Sequence, residues 1–394
     1  MKGSGMSHKV ADLVEAIERI APPAGAEPWD RVGLHVGDPA RELGGPVLLT
    51  IDLTRRVLDE AIGMKASAII AYHPPIWEPL ATLTDETTTE RIIRRAIESG
   101  IAIYSPHTAI DSARGGVTDW LCEGIAGSKS DDGENRISCD VRALVPLEEN
   151  EKTQEVKIVV FVPADAVEQL RGALATAGAG RIGEYEVCSF TVQGQGTFLG
   201  TPGTNPVIGE PGRLERVEEV RLEMVCSKFV LPLVIETLRQ FHPYEEPAFD
   251  VYELLPKPDR STGTGRRLAL DQPATVPEIG AKLRAHLGVS RIRYALPEGM
   301  DEKTPLHKIG VVPGSGGDLI ESAIEGGCQL FVTGEMTHHR VIAATARGMA
   351  VLLAGHTNTE RGYLPRLASR LGRQMEGVEF RVSESDRDPL VVLR

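Results

Sequence analysis

Apolar residues recur along this chain in two rhythms. Short runs that are apolar at nearly every position occur at 47–52, 68–71, 101–104, 329–333 and 349–354. Runs of that kind suit strands covered on both faces. Between them the apolar positions fall three or four residues apart, as helices require. Val10, Leu13, Val14, Ile17 and Ile20 form one such stripe, stopped by Pro22-Pro23. Val57, Leu58, Ala61 and Ile62 form another behind a Thr54 cap, and a third spans 88–99 and closes at Gly100. Strands separated by helices predict βαβ units and a mostly parallel sheet.

The rhythm changes between about 155 and 256. Strands are expected at 156–162, around 185–193, at 217–226 and at 248–255, with helices at 164–177 and 231–241. A Gly/Pro-rich loop is expected over 194–212, with Gly194-Gln195-Gly196 as a flexible part of it. The order β-α-β-β-α-β is that of a ferredoxin-like unit. Pro256-Lys257-Pro258 and the Ser/Thr/Gly run at 261–265 read as its closing border, after which strand–helix alternation resumes. The expected fold class is α/β. Two α/β halves (1–150 and 261–394) form a bipartite domain, interrupted by an inserted ferredoxin-like α+β domain at 151–260.

Composition narrows the function. A chain of 394 residues, 41% hydrophobic and 25% charged, has core enough for two or three domains. A net charge of -13 argues against general nucleic-acid binding, which needs a basic face. It leaves small anionic substrates open, because a bound metal supplies positive charge locally. Five scattered cysteines without a C-x-x-C pair read as reduced thiols. The first residues lack the apolar stretch of a signal peptide, and no apolar run nears the ~20 residues of a membrane span. A cytoplasmic location without membrane contact is the expectation.

Two segments repeat one another. After the run at 101–104 comes His107-Thr108-Ala109-Ile110-Asp111, and after that at 349–354 comes His356-Thr357-Asn358-Thr359-Glu360. Two other strands run into Tyr72-His73-Pro74-Pro75 and into Glu335-Met336-Thr337-His338-His339. Open α/β sheets gather ligands just beyond the carboxyl ends of their strands. Imidazole and carboxylate together there make a site for Zn, Fe, Mn, Co or Ni. A lone histidine after a strand is ordinarily structural or solvent-facing; the weight lies in two copies in matching contexts. Gly314-Ser315-Gly316-Gly317-Asp318 could offer amides to an anion, or be simply a tight turn. It has neither the Lys-Ser/Thr of a P-loop nor a dinucleotide fingerprint. His242 and His286 read as structural or solvated. No Gly-x-Ser-x-Gly elbow is present.

Taken in order, six motifs resemble the GTP cyclohydrolase I type 2 homologue family, also called Nif-three-like. They are the stretches at 26–34, 52–54, 72–77, 104–111, 333–339 and 355–360. The segment around Phe241-His242-Pro243-Tyr244-Glu245-Glu246 resembles the extra domain of longer members, itself similar to PII and CutA-like proteins. The resemblance implies a dinuclear metal centre between two α/β halves, within a homo-oligomer of toroidal hexamer type. Its ligands here would be His73, His107, Asp111, His356 and Glu360. Glu360 would bridge, and His107 would be a ligand, a group supporting one, or a substrate-facing group. Tyr72 stands where many members have His, and Arg31 where Asn is usual. A phenol with a pKa of about 10 is a poor neutral ligand, so one tight divalent transition metal and a weaker or absent second are expected. Glu335, His338 and His339 would move protons. The expected activity is metal-dependent hydrolysis, of cyclohydrolase or phosphoesterase type, on a small, nucleotide-like substrate. The alternative is a non-catalytic metal-binding regulatory or scaffold protein.

Overall fold

The computed structural model describes residues 8–127, 137, 139–149 and 152–391. The stretch at 128–135, where the composition turns polar (Ser-Lys-Ser-Asp-Asp-Gly-Glu-Asn), lies outside them. The chain divides into two compact units, Met1–Leu147 with Asp259–Arg394, and Glu148–Pro258.

In chain order the first unit opens with α1 (Val10–Ile20), β1 (Gly33–Val36), β2 (Val47–Thr50), α2 (Arg55–Gly63), β3 (Ala68–Ala71) and α3 (Thr88–Glu98). It continues with β4 (Ala102–Ser105), α4 (His107–Ser112), α5 (Val117–Ala126) and β5 (Asp140–Glu149). The second unit holds β6 (Val156–Pro163), α6 (Val167–Thr176), β7 (Phe190–Leu199), β8 (Leu214–Cys226), α7 (Leu231–Phe241) and β9 (Phe249–Glu253). Then follow β10 (Lys257–Ala274), α8 (Val276–Leu287), β11 (Arg293–Ala295), β12 (Leu306–Val311), α9 (Ile320–Glu325) and β13 (Leu330–Thr333). The chain ends with α10 (His338–Ala346), β14 (Ala350–Leu353), α11 (Asn358–Arg361), α12 (Leu364–Gln374) and β15 (Phe380–Val382).

The first unit has two sheets. One is ordered β1-β4-β3-β2-β15, the other β11-β14-β13-β12-β10-β5. Strands β15, β2, β3 and β4 run parallel, as do β12, β13 and β14. In β2, β3, β4, β13 and β14 the sequences are apolar at nearly every position because both faces are covered. On β2, Val47 and Leu49 enter the core shared by the two sheets, whereas Leu48 enters the layer under α2 and α3. The shared core also takes the apolar stripes of α1, α5, α8 and α12, so these helices are sandwiched between the sheets. Helices α9 and α10 cover the outer face of the second sheet. Local signals set the ends: the Thr54 hydroxyl accepts from the Val57 amide at the start of α2, and Thr87 with Glu90 forms a capping box on α3.

The second unit is a four-stranded antiparallel sheet ordered β7-β8-β6-β9. Its apolar face packs on Leu170 and Leu174 of α6 and Val234 and Leu238 of α7.

Two expectations are corrected. Gly194-Gln195-Gly196 is not a loop but the middle of β7, paired with Glu219, Glu218 and Val217 of β8. The residues at 261–265 are not a border but part of the 18-residue strand β10. In both places the backbone ladder, not apolar side chains, holds the strand.

Candidate metal centre

Parallel register places the site. Thr50 lies opposite Ala71, so Asp52 and His73, each two residues further on, leave β2 and β3 side by side. Ile70 lies opposite Tyr104, which brings His107 out beside His73. In the other sheet Thr333 lies opposite Leu353, so Glu335 and His356 emerge together.

Each of these histidines is held from behind by an acid. Nδ1 of His73 is 2.9 Å from Asp52 Oδ1, Nδ1 of His107 is 2.7 Å from Asp30 Oδ1, and Nδ1 of His356 is 2.9 Å from Glu335 Oε1. A carboxylate only accepts, so each Nδ1 donates and Nε2 is turned to the other side of the ring. Nε2 of His73 is 3.5 Å from Glu360 Oε2, and Nε2 of His356 is 3.5 Å from Glu360 Oε1. His73, His356 and Glu360 each offer a donor atom within 4.8 Å of the others.

The Glu360 residue is only 3% exposed, yet its Oε2 has no hydrogen-bond partner among the described residues. A buried carboxylate oxygen without a donor is costly, and a cation between it and two imidazole nitrogens removes that cost. Orientation of the ligating ring by an outer carboxylate is the usual arrangement behind metal-bound histidine. The residues therefore fit a transition-metal ion. Burial alone would lower the His73 pKa, but the hydrogen bond to Asp52 and the nearby Glu360 carboxylate outweigh it and raise it to about 10. For Asp52 and Asp30 burial pushes upward, and the bonds from His73 and from His107 and Thr108 win, leaving both below the usual range.

The glycine loop after β12 forms one wall. Gly314 has φ +58°, and a Cβ on it would lie 2.7 Å from Glu360 Oε1 and 3.2 Å from His356 Nε2. Its amide donates to the Thr359 hydroxyl at 2.9 Å, and its carbonyl accepts from the Glu335 amide at 2.9 Å.

Of the expected ligands, then, His73, His356 and Glu360 converge. Asp111 is engaged differently: Oδ1 accepts the Tyr72 hydroxyl at 2.5 Å. Burial holds Asp111 well above the ordinary carboxylate range, against the pull of that bond, and Glu360 nearby adds to the rise. Tyr72 is pushed well above 10 by burial and by Asp111, so it stays a phenol. The His107 ring stands 5.4 Å from that of His73, outside the convergent three. Its φ of +29° is a strained value for a residue with a side chain. Asp30 sustains it by accepting from the Thr108 amide at 3.0 Å and from the Thr108 hydroxyl. His338 and His339 are exposed in the first turn of α10, their rings 5.7 Å apart. Among the described residues no hydrogen bond, ion pair or ring contact joins them to His73, His356 or Glu360. Glu335, expected to move protons, has its carboxylate on the outer nitrogen of His356. Asp30 and Asp52 lie within the motifs at 26–34 and 52–54 with no role expected of them; register is the signal that could supply one, antiparallel between β1 and β4 for Asp30 and parallel between β2 and β3 for Asp52.

The sequence model described as Duf34/NIF3 (NGG1p interacting factor 3) matches residues 8–389. The chain belongs to that family. A relative in Bacillus subtilis, named GTP cyclohydrolase 1 type 2 homolog, is 34% identical over 97% of this chain and 98% of its own length. NIF3-like protein 1 of Rattus norvegicus is 32% identical over 97% of this chain and 92% of its own. The crystal structure of a Bacillus cereus protein related to NIF3 is 30% identical, has a TM-score of 0.66, and covers 99% of this chain and 100% of that one. The resemblance read from six short motifs is thus borne out over nearly the full NIF3-family chain. No helix among the described residues is long and apolar enough to cross a membrane.

Proposed function

We propose that this NIF3-family chain is a metal-dependent hydrolase whose tight site is His73, His356 and Glu360. The observation that carries the reading is the buried, unpaired Glu360 oxygen set between the inward nitrogens of two oriented imidazoles. Two nitrogens and one carboxylate leave coordination positions open, the pattern of a catalytic rather than a structural site. Zn, Fe, Mn, Co or Ni bound there would supply Lewis acidity to a carbon or phosphorus electrophile and acidify water. The chain does the rest. Asp52 and Glu335 fix the tautomer and angle of the two ligating rings. His107, with Nδ1 committed to Asp30, keeps Nε2 for substrate, and the exposed His338 and His339 exchange protons with it. A second, weaker ion would draw on Asp111, at the cost of its bond to Tyr72. The name carried by the Bacillus subtilis relative supports a nucleotide-like substrate.

The same reading takes 1–150 and 261–394 as two halves of one site-bearing domain and 151–260 as an inserted ferredoxin-like module. The β7-β8-β6-β9 order and the separate apolar core of that segment support the module. It also takes the protein as a cytoplasmic homohexamer.

The test pairs metal content with turnover of nucleotides and phosphoesters. Glu360→Ala should lose both. His338→Ala and His339→Ala should keep the metal and lose kcat. Metal uptake without turnover of any substrate would favour a non-catalytic regulatory scaffold instead.

A further inference from the structure

Two of the three tryptophans of this chain are spent at one place on its surface. Trp29 is 55% exposed and Trp77 45% exposed, whereas Trp120 is buried at 6%. The two exposed indoles stand 5.8 Å apart at 48°. Each meets the His107 ring edge-on, at 6.0 Å and 5.9 Å, and that ring is 5.4 Å from His73. The corner is tied to the metal cluster by its own chain neighbours. Trp29 directly precedes Asp30, which holds His107, and the Glu27 amide in the same loop donates to the Thr108 hydroxyl at 3.0 Å. Trp77 lies four residues beyond His73, across the stiff Pro74-Pro75 pair.

We infer that the corner of Trp29, Trp77 and His107 seats a planar heteroaromatic ring of the substrate that the neighbouring metal cluster acts on. The inference rests on the hydrolase reading for its link to the metal, but not for the seat itself. Indoles offer large, rigid faces on which flat π-systems stack. Sandwiching a ring needs about 7 Å between the two walls, twice an ordinary carbon contact, and 5.8 Å is too little. The ring therefore lies on the face of one indole with its edge toward the other. The edge meets a polar group there, because Nε2 of His107 is free of Asp30 and can pair with a ring nitrogen or carbonyl. That polar handle, on a ring 5.4 Å from that of His73, favours a small heterocycle over an apolar protein surface as the occupant.

The test follows tryptophan fluorescence of the full chain, after chelation and again after reloading with Zn. Guanosine monophosphate and a pterin are the ring-bearing probes, and ribose 5-phosphate is the ringless control. At least one ring-bearing probe should quench the emission and bind about tenfold or more tighter than the control in both states. Trp29→Ala or Trp77→Ala should weaken that probe by about five- to a hundredfold, while Trp77→Phe keeps most of the affinity. Metal content and circular dichroism should be unchanged in all three variants. Equal binding of ringed and ringless probes, or no loss in the alanine variants, overturns the inference. So does a drop in sedimenting mass of those variants, which would make the corner a contact between copies of this chain. Quenching that persists in a protein unable to take up metal would sink the hydrolase reading and leave the seat standing.

Discussion

On the proposed reading, Tyr72 limits how many metals this site holds tightly. Its hydroxyl donates to Asp111 at 2.5 Å, so an ion taking that carboxylate must first break a short, buried hydrogen bond. An imidazole in its place would offer a ligand instead of a competing proton. Tyr72→His is therefore expected to raise the second equivalent of bound metal, read by calorimetric titration with Mn or Zn. Two equivalents of equal affinity in the wild type would show that Tyr72 is no obstacle. Arg266 has a purely structural task behind the same region. It is 1% exposed, its Nε is 2.6 Å from Asp119 Oδ1, and its Nη2 donates to the carbonyls of Ser112 and Ala113 where α4 ends. Arg266→Leu leaves the Asp119 charge buried beside uncapped carbonyls and should cost about 3–5 kcal/mol in urea unfolding; a loss under about 1 kcal/mol would mean the pair is replaceable. At this scale the sequence was informative for His73, His356 and Glu360, which their residue types single out and the fold brings together. It was silent on Arg266, Asp30 and Asp52, whose roles depend on neighbours far along the chain.

Elements were legible where burial wrote them. Strands β2, β3, β4, β13 and β14 are covered on both faces, so unbroken apolar runs mark them within a residue or two. Strand β7 gave no such signal, because it is mostly exposed and carries Gly194 and Gly196. Strand β10 was hidden by Gly263 and Gly265, both at positive φ, where the chain passes close under the residues around Val145. The loop after β12 is the sharpest case: read as an anion loop or a plain turn, it lies close against Glu360 and His356. Gly314→Ala is predicted to abolish tight metal binding without unfolding the protein. Its Cβ would intrude on Glu360 and His356, and an alanine at φ +58° is strained. Wild-type metal content in a folded Gly314→Ala protein would show that the loop gives way and is no wall.

The whole molecule interrupts its site-bearing unit with another, Glu148–Pro258. His73 and Glu360, on opposite sides of that interruption in sequence, come within 3.5 Å. Repetition of the His-Thr-x-x-acid segment hinted at such a meeting; only the sheets' shared core explains it. The inserted unit has an apolar core of its own, built on alternate positions of β6 that include Ile158, Val160 and Val162. Replacing 151–256 by a short linker should leave a soluble protein that retains its metal, checked by size-exclusion chromatography and elemental analysis. An aggregated or metal-free product would mean that the two units depend on one another to fold.

The central claim is that His73, His356 and Glu360 together hold a transition-metal ion. Inductively coupled plasma mass spectrometry on chelated and then Zn- or Mn-reloaded protein tests it most directly, comparing wild type with His73→Ala, Glu360→Gln and His338→Ala. The account predicts about one tight equivalent in the wild type and in His338→Ala. It predicts loss of roughly tenfold or more in affinity for the other two. No uptake by the wild type, or equal uptake by all four proteins, would contradict it.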